Sequence, residues 1–430
     1  MGSVAVIYLS SFIGGSFEGP EFTTELYLTH ALKHHFLRKW TSQNLGDGLD
    51  PPGRSPGGGA CNVQGDFHSP GRIARDRLRS WRRHGRIPPV YISKSFANVM
   101  HQTMQMPCLC LGIAAAALTA APCLPSHAQT PPRFTETVLR AQGEVALRLT
   151  GETGRRYRLE VSEDLRAWNG LATLAGSAAF EYIDSIHTGP GSRFYRALET
   201  ADASDLTGDH LATESGDAVL HPVNHASVVV GWNGRVIYVD PVGGAAAFAG
   251  LPKPDLMLVT HQHGDHFNAA TLEAVRQTTT LLVAPAVVYA MLSTALKNIT
   301  VPLANGESTN WTSLGGLGVE AVPAYNANHP KGAGNGYVLT LGGSRVYFSG
   351  DTEDVAEMRA LPDVDAAFLC MNVPFTMTVD KAASAVRDFR PRRVYPYHYR
   401  NQDGTFANLE RFRQLVGSDS GVEVRLRKWY

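Results

Sequence analysis

The sequence predicts an α/β (α+β) protein in which a large αββα sandwich follows a small all-β sandwich. Three observations support this prediction. From His210 to the end, apolar strand-like runs alternate with helical patterns, which favours sheets covered by helices. Between residues 134 and 198 the apolar runs are short, alternate with polar residues and are separated by glycine-containing turns. Asn233-Gly234, between two valine-rich runs, is the strongest short-range signal of a β-hairpin.

The large domain, residues 210–430, contains further strand and helix candidates. The predicted strands are Leu256–Val259, Leu281–Val283, Val319–Val322, Tyr337–Leu341, Arg345–Phe348, Ala366–Leu369 and Arg393–Tyr397. The predicted helices are Ala270–Arg276, Val287–Leu296, Val379–Phe389 and Ala407–Val416. Because the strands form two β-rich halves and helices accompany each, we expect two sheets packed face to face between outer helices.

Residues 134–198 are predicted to form a separate β-sandwich module. Runs such as Val145–Leu149 and Tyr157–Val161 have the alternation of half-buried strands. Three strings resemble small immunoglobulin-like modules appended to secreted bacterial proteins: Ser162–Trp168, Phe180–Asp184 and Arg193–Arg196. The polar and acidic segment Thr200–Asp209 is interpreted as the linker to the large domain.

The part of the chain before the module shows no readable core. Residues 1–99 lack a sustained period and are rich in Pro/Gly turns, so we interpret them as a disordered or mis-annotated extension. Residues 100–128 combine the apolar run Leu109–Ala121 with a small-x-small pattern, which is typical of a signal peptide. A secreted or periplasmic bacterial protein is therefore expected. A buried helix or a short membrane anchor is the alternative, although a span needs roughly 18 apolar residues.

The amino-acid composition limits the classes of partner that we expect for this protein. The 39 basic and 39 acidic residues give a formal charge of +0, so bulk electrostatics favour neither nucleic acid nor an anionic membrane as partner. A small-molecule substrate is expected, with no stable membrane insertion once a signal is removed. Of five cysteines, only Cys370 lies in the predicted folded domains, which excludes a disulfide scaffold or a cysteine-rich zinc site there.

A run of metal-binding residue types follows the apolar segment Asp255–Thr260. It reads His261-Gln262-His263-Gly264-Asp265-His266. In an extended segment the two histidines of His-x-His point to the same side. Gly264 is expected to permit the turn that brings Asp265 and His266 towards a second metal. Crowded imidazoles would lower one another's proton affinity without any gain in packing, so a purely structural role is disfavoured.

This run resembles the His-x-His-x-Asp-His signature of the metallo-β-lactamase superfamily, over about His210–Leu426. The later segments are most similar to ascorbate-phosphate-lactonase-like, metal-dependent hydrolases of bacteria. The similar strings are Asn224–Ser227, Ile237–Pro241, Tyr347–Thr352 and Tyr395–Tyr399. The resemblance implies two divalent metal ions per chain, with zinc favoured and manganese or iron as alternatives, because the ligands are nitrogen and oxygen without thiolate.

The resemblance also assigns the ligands. It places His261, His263 and His329 on the first metal, places Asp265, His266 and His398 on the second, and makes Asp351 the bridge. His329 is expected in a loop rich in glycine, asparagine and proline, where an exposed ligand can be presented. Asp351 and His398 each follow an apolar strand, where sites in layered folds collect.

Three residues receive roles beside the metals. Asp240 ends a strand, and its counterpart in the family orients a ligand imidazole without binding metal. Asp265 is expected to hold its metal and to move a proton during hydrolysis. His225 either lines the pocket as an acid, base or substrate contact or caps its strand. The implied nucleophile is a hydroxide held between the two metals.

Three functions are compatible with these residues. The first is a dinuclear metal-dependent hydrolase acting on a small ester, lactone or phosphoester. The second is a phosphodiesterase acting on nucleic acid or phospholipid; it would need a basic groove or an exposed apolar lid, for which Pro374–Met377 is the candidate unless that segment is a pocket wall. The third is a non-catalytic metal-binding protein of the same fold, which should have lost a ligand, whereas every ligand position here is filled.

Overall fold

The computed structural model of the chain describes residues 3–9, 131–140, 144–185, 191–200 and 205–430. The signal-like segment 100–128 and most of the extension 1–99 lie outside these residues, and what we inferred about them stays a prediction. Ser3–Leu9, within the extension, differs from that prediction because it forms a strand, β1, rich in apolar and β-branched residues. Among the helices described, none has the length and apolar character to cross a membrane.

The strands form three sheets. In chain order they are β1 (Ser3–Leu9), β2 (Arg133–Leu139), β3 (Glu144–Thr150), β4 (Arg156–Ser162), β5 (Asn169–Ala175), β6 (Phe180–Ser185), β7 (Gly191–Glu199), β8 (Gly208–Leu211), β9 (Ala218–Asn224), β10 (Ser227–Trp232), β11 (Arg235–Val239), β12 (Leu256–Leu258), β13 (Leu281–Ala284), β14 (Thr300–Pro302), β15 (Ser308–Trp311), β16 (Leu317–Asn326), β17 (His329–Leu341), β18 (Ser344–Phe348), β19 (Ala366–Cys370), β20 (Arg393–Tyr397) and β21 (Glu423–Val424). The first sheet has the order β1-β7-β4-β5-β8-β9-β10-β11-β12-β13-β14, the second runs β15 to β21 in sequence, and the third is β2-β3-β6.

The helices are short and amphipathic. They are α1 (Ala269–Val275), α2 (Ala286–Met291), α3 (Thr294–Lys297), α4 (Ala356–Arg359), α5 (Val379–Phe389) and α6 (Leu409–Val416). The single helix predicted over Val287–Leu296 is wrong: two short helices replace it. The break occurs because Leu292 is extended and the Ser293 hydroxyl accepts a hydrogen bond from the Leu296 N–H at 3.2 Å, which starts α3.

The large domain is an αββα sandwich, as predicted. Along β10, Val228 and Val230 face the core shared by the two large sheets, while Val229 faces the opposite way into a cluster with Leu272 of α1 and Val288 of α2. Phe389 of α5 packs edge-on against Tyr347 of β18 in the second sheet, and α6 packs beside α5. Asn233-Gly234 makes the predicted turn between β10 and β11, with both residues at positive φ.

The module is a small sandwich whose larger sheet continues into the large domain. Val145 and Leu147 of β3 pack against Leu159 and Tyr195 from β4 and β7. Strand β8 begins inside the segment interpreted as the linker and pairs antiparallel with β5 on one side and β9 on the other. Gly208 and Asp209, the last two residues of the predicted linker, therefore belong to the sheet, because hydrogen bonding to two strands fixes them there.

A buried charge cluster joins β8 to the C-terminal segment and to the module. Asp209 accepts a hydrogen bond from Arg427 Nε at 2.9 Å and faces Arg425 at 3.3 Å. Arg425 also reaches Glu423 and the Tyr182 hydroxyl of the module sheet. Burial alone would raise the pKa of Asp209, but the Arg427 and Arg425 guanidiniums outweigh it and lower the pKa to about 2.

This cluster predicts a pH-dependent contribution to stability. Because the folded pKa of Asp209 lies below its unfolded value, its stabilisation is complete above about pH 4 and is lost as pH falls through about 2. Asp209→Asn should lower the free energy of unfolding by about 3 kcal/mol at pH 7 and by roughly half of that at pH 3.

Chemical denaturation at both pH values would measure the difference. Asp363→Asn, at an exposed carboxylate, is the control and should cost less than about 0.5 kcal/mol. A cost for Asp209→Asn that is the same at pH 7 and pH 3 would contradict the charge-pairing argument.

Candidate metal centre

The ligand candidates meet at one edge of the two large sheets. Strands β11 and β12 run parallel in the first sheet, and β18, β19 and β20 run parallel in the second, so their carboxyl ends collect side chains at this edge. His261 follows β12 closely, Asp351 follows β18 and His398 follows β20. His329 is not in a loop as predicted. It begins the long strand β17 and pairs with Asn326, because the β16–β17 hairpin extends past the site.

The first group of candidate ligands is His261, His263 and His329. One nitrogen from each ring lies within 4.8 Å of the others. His261 Nε2 and His263 Nδ1 are 3.0 Å apart, and the rings of His261 and His329 are stacked with centroids at 4.8 Å. The structure therefore brings together the three residues assigned to the first metal.

The second group is centred on Asp351. Its Oδ1 lies 3.2 Å from His266 Nε2 and 3.3 Å from His398 Nε2. Its Oδ2 lies 3.9 Å from His261 Nε2 in the first group. Asp265 Oδ2 lies 3.3 Å from His398 Nε2 and 3.9 Å from His266 Nε2. Asp351 thus faces both groups, which is the position expected of a bridging carboxylate.

Several buried atoms of this cluster lack hydrogen-bond partners, and this is the observation that tests whether metal ions fit. The atoms are His266 Nε2, both ring nitrogens of His329, both ring nitrogens of His398, and Asp351 Oδ1. A buried polar atom without a partner costs about 1 to 3 kcal/mol, and a cation accepting these lone pairs would remove the cost. The donor set therefore fits divalent metal ions with nitrogen and oxygen ligands.

The electrostatics of the cluster suit cation binding. Burial, together with neighbouring His266, lowers the pKa of His261 well below its ordinary value, so its ring is neutral and able to coordinate. For Asp351, burial works against ionisation, but His398 and His266 outweigh it and lower the pKa. Burial also opposes the charge on His266, yet Asp351 and Asp240 hold its pKa well above the ordinary value. A metal bound at His266 would therefore displace a proton.

Asp240 is fully buried beneath the cluster and fixes one of its rings. Its Oδ2 accepts hydrogen bonds from His266 Nδ1 and from the Thr260 hydroxyl, both at 2.7 Å. Its Oδ1 accepts from the Thr260 backbone N–H at 2.7 Å. With Nδ1 engaged in this way, Nε2 of His266 is turned towards Asp351. This is the orienting position predicted for Asp240; the part played by Thr260 was not foreseen.

His225 lies beside the second group and is held at both ring nitrogens. Its Nε2 is 3.1 Å from Asp265 Oδ2, and its Nδ1 is 2.7 Å from the Tyr430 hydroxyl. Burial raises the pKa of Tyr430 to about 12, so this hydroxyl stays protonated and donates a hydrogen bond to Nδ1. The backbone carbonyl of His225 also accepts from the His398 N–H at 3.2 Å. Sequence reasoning missed Tyr430, which is 205 residues from His225.

Three non-glycine residues of the site adopt left-handed backbone conformations. His225, Asp240 and His398 have φ of 55°, 44° and 46°. Such residues cost of order 1 kcal/mol each and cluster where function requires an unusual geometry. Gly350, at φ 57°, has a Cβ position only 3.0 Å from Thr260 Cβ and 3.1 Å from the Asn335 carbonyl oxygen, so glycine is required there.

Gly264 does not have the conformational role predicted for it. It is not among the residues with positive φ, and a Cβ would meet nothing within 4 Å. The turn is instead closed by backbone hydrogen bonds from His266 and Phe267 to the His263 carbonyl, at 2.9 and 2.8 Å. A residue other than glycine could therefore occupy this position without strain.

The large domain is similar to known proteins. The beta-lactamase superfamily domain matches residues 235–399. The UPF0173 metal-dependent hydrolase of Thermococcus onnurineus is 31% identical over 214 residues, which cover 47% of this chain and 93% of that protein. The homologous protein of Thermus thermophilus is 31% identical over 212 residues, covering 47% and 92%. The solved structure of a Parabacteroides distasonis protein assigned as a metal-dependent hydrolase is 36% identical, covers 52% and 99%, and superimposes with a TM-score of 0.45.

The predicted resemblance to the metallo-β-lactamase superfamily is thereby confirmed. The matched region contains the metal-ligand candidates from His261 to His398, and the module lies before it. The chain belongs to the UPF0173 family of metal-dependent hydrolases, within the beta-lactamase superfamily.

Proposed function

We propose that the chain is a dinuclear metal-dependent hydrolase that cleaves a small ester, lactone or phosphoester. The observation that best supports two metals is the position of Asp351. One of its oxygens faces His266 and His398, and the other faces His261 of the first group. A carboxylate that faces two ligand groups can hold two cations, whereas a one-metal site would need only one of these groups.

The proposed ligand assignment follows the two groups. His261, His263 and His329 would hold the first ion, and Asp265, His266 and His398 the second, with Asp351 shared. Zinc is favoured, with manganese and iron as alternatives. Bound there, two divalent ions would lower the pKa of a water molecule towards neutrality and polarise the carbonyl or phosphoryl oxygen under attack.

Asp265 is the residue best placed to move a proton. Its side chain is 48% exposed although its Oδ2 faces His398, so it borders both the ligand cluster and the open side of the site. Burial opposes its ionisation, but His225 and His398 outweigh this and hold its pKa far below the ordinary value. The carboxylate is therefore ionised and able to bind the second metal, and because it also borders the open side of the site, we assign it the transfer of the proton from the attacking water to the leaving group.

His225 is assigned to positioning. Both of its ring nitrogens have protein partners, Asp265 and Tyr430, so the ring fixes the orientation of the Asp265 carboxylate. Its backbone carbonyl holds the His398 N–H. We propose that His225 acts beside the site through its ring and as a cap of its strand through its carbonyl, the two interpretations that the sequence left open.

The alternative functions receive less support. A nucleic-acid phosphodiesterase needs unpaired cations along a groove, but arginines of the large domain such as Arg235 and Arg393 are paired with Asp255 and Glu423. A phospholipid-cleaving enzyme needs an exposed apolar lid. In the segment Pro374–Met377, Thr376 and Met377 are buried, which fits a pocket wall better.

Hydrolysis should depend on the metals. Full-length chain loaded with zinc, manganese or iron is expected to turn over at least one member of a panel of lactones, esters, phosphomonoesters, phosphodiesters and β-lactams. Treatment with a chelator should abolish turnover, and metal should restore it, because the orphaned imidazoles cannot activate water without a cation. Elemental analysis should find two metal ions per chain. Two bound ions without turnover of any panel member would favour the non-catalytic alternative.

A further inference from the structure

We propose that Arg400 binds an anionic group of the substrate, a carboxylate or a phosphate, at the end remote from the bond that is cleaved. This inference rests on the proposed hydrolase function and specifies its substrate class. It begins from position. Arg400 is exposed, lies two residues after the ligand candidate His398, and is fixed at its backbone by a bridge to Phe406.

Two aromatic rings hold the guanidinium of Arg400. Its central carbon lies 4.1 Å from the ring centroid of Tyr430 and 5.6 Å from that of Phe406. These two rings lie 5.3 Å apart, and Tyr430 also packs edge-on against Tyr399 at 5.1 Å. Stacking on aromatic faces restricts the long side chain, so less entropy is lost when the guanidinium binds a ligand.

The same tyrosine connects Arg400 to the metal centre. The Tyr430 hydroxyl is 2.7 Å from His225 Nδ1, and the His225 ring is 3.7 Å from that of His398. Arg400 therefore lies on the rim of the site, separated from the ligand cluster by one tyrosine and one histidine. This separation suits a group several bonds away from the scissile bond of a small substrate.

The charge of Arg400 is not neutralised by the protein. The other arginines of residues 205–430 contact a carboxylate or a backbone carbonyl; within this described part of the chain, Arg400 contacts neither. Arginine stays charged at any working pH, and its N–H groups form a planar fork that matches carboxylate and phosphate oxygens. The centroids of Tyr430 and Phe406 are only 5.3 Å apart, so both rings lie to one side of the guanidinium, and the N–H groups that point away from them remain available.

Paired substrates test the proposal. Metal-loaded full-length chain would be assayed with mono-4-nitrophenyl glutarate, which bears a remote carboxylate, and with 4-nitrophenyl pentanoate, which does not. Arg400→Gln is expected to lower the ratio of kcat/KM for the anionic over the neutral ester about tenfold, with the loss in KM, as expected for one charge-assisted contact. Arg400→Lys should retain part of the ratio, because it keeps the charge but loses the fork.

The control is Arg392→Gln, at the opposite end of strand β20. Arg392 is exposed, and its substitution removes the same charge as Arg400→Gln. Its contact, however, is with Asp365 and not with the rim of the site. Its ratio should equal that of the wild type. A purely packing role for Arg400 would lower kcat/KM for both esters together and leave the ratio unchanged, which would overturn the proposal.

Equilibrium binding separates this proposal from the proposed function. Titration calorimetry of the metal-loaded chain with glutarate and with glycerol phosphate should show about tenfold weaker binding of at least one of them to Arg400→Gln. The ligand that loses affinity distinguishes a carboxylate from a phosphate. If no member of the substrate panel is hydrolysed but this loss is seen, the hydrolase function fails and the anion site stands. Equal affinities in wild type and variant would refute the anion site whether or not esters are cleaved.

Discussion

Asp351→Asn is expected to remove one of two bound metal ions and to lower turnover at least on the order of 100-fold. Losing an outer partner of a metal ligand costs up to about 100-fold, and losing a shared ligand should cost no less. The substitution keeps the size of the side chain and removes its charge. Asp351 is buried, with one oxygen directed at His266 and His398 and the other at His261. An amide has a single acceptor oxygen, so it cannot face two cations.

Elemental analysis and kcat of the same preparations would measure both effects. His261→Ala removes a ligand from the first group alone and should leave the second ion in place, so the two variants differ in which ion is lost. Asp388→Asn, at an exposed carboxylate paired with Arg359, is the matched control and should keep two ions and full turnover. Full activity of Asp351→Asn, or wild-type activity with one bound ion, would refute the dinuclear mechanism.

The sequence allowed the large domain and the residues of the metal centre to be predicted together. Strands Leu256–Leu258 and Arg393–Tyr397 end shortly before His261 and His398, and the carboxyl ends of parallel strands collect side chains at the edge of each sheet. The ligand roles of His329, Asp351 and His398 depended on the family resemblance, because none of them lies near the His261–His266 run. Their proximity in the structure comes from the packing of two sheets, which periodicity does not encode.

Other features could not be read from sequence because they depend on long-range geometry or backbone conformation. His225, Asp240 and His398 adopt positive φ, yet histidine and aspartate give no local sign of it. The contact of Tyr430 with His225 joins the last residue described to a β-turn near the start of the large domain. The first two residues of β8, Gly208 and Asp209, were assigned to the linker because the four residues of this strand are too few to show a period.

Asp240→Asn is expected to weaken binding of the second metal ion by about 10- to 100-fold while leaving the first ion nearly unaffected. The Asp240 carboxylate receives three hydrogen bonds, from the Thr260 N–H, the Thr260 hydroxyl and His266 Nδ1, and it donates none. An asparagine offers one acceptor oxygen and would direct its NH₂ group at one of these donors. The His266 ring would then lose the contact that aims its Nε2 at Asp351.

Asparagine is the informative replacement because it tolerates the left-handed conformation that Asp240 adopts at φ 44°, so backbone strain does not confound the result. Metal affinity would be measured by competition with a chromophoric chelator, and folding by thermal denaturation of the metal-free chain. Asp255→Asn is the matched control, since Asp255 also accepts backbone and side-chain hydrogen bonds between β11 and β12 but does so at the opposite end of these strands. If both variants weakened metal binding equally, Asp240 would act through the stability of the sheet; a selective loss in Asp240→Asn would show that it acts through the orientation of His266.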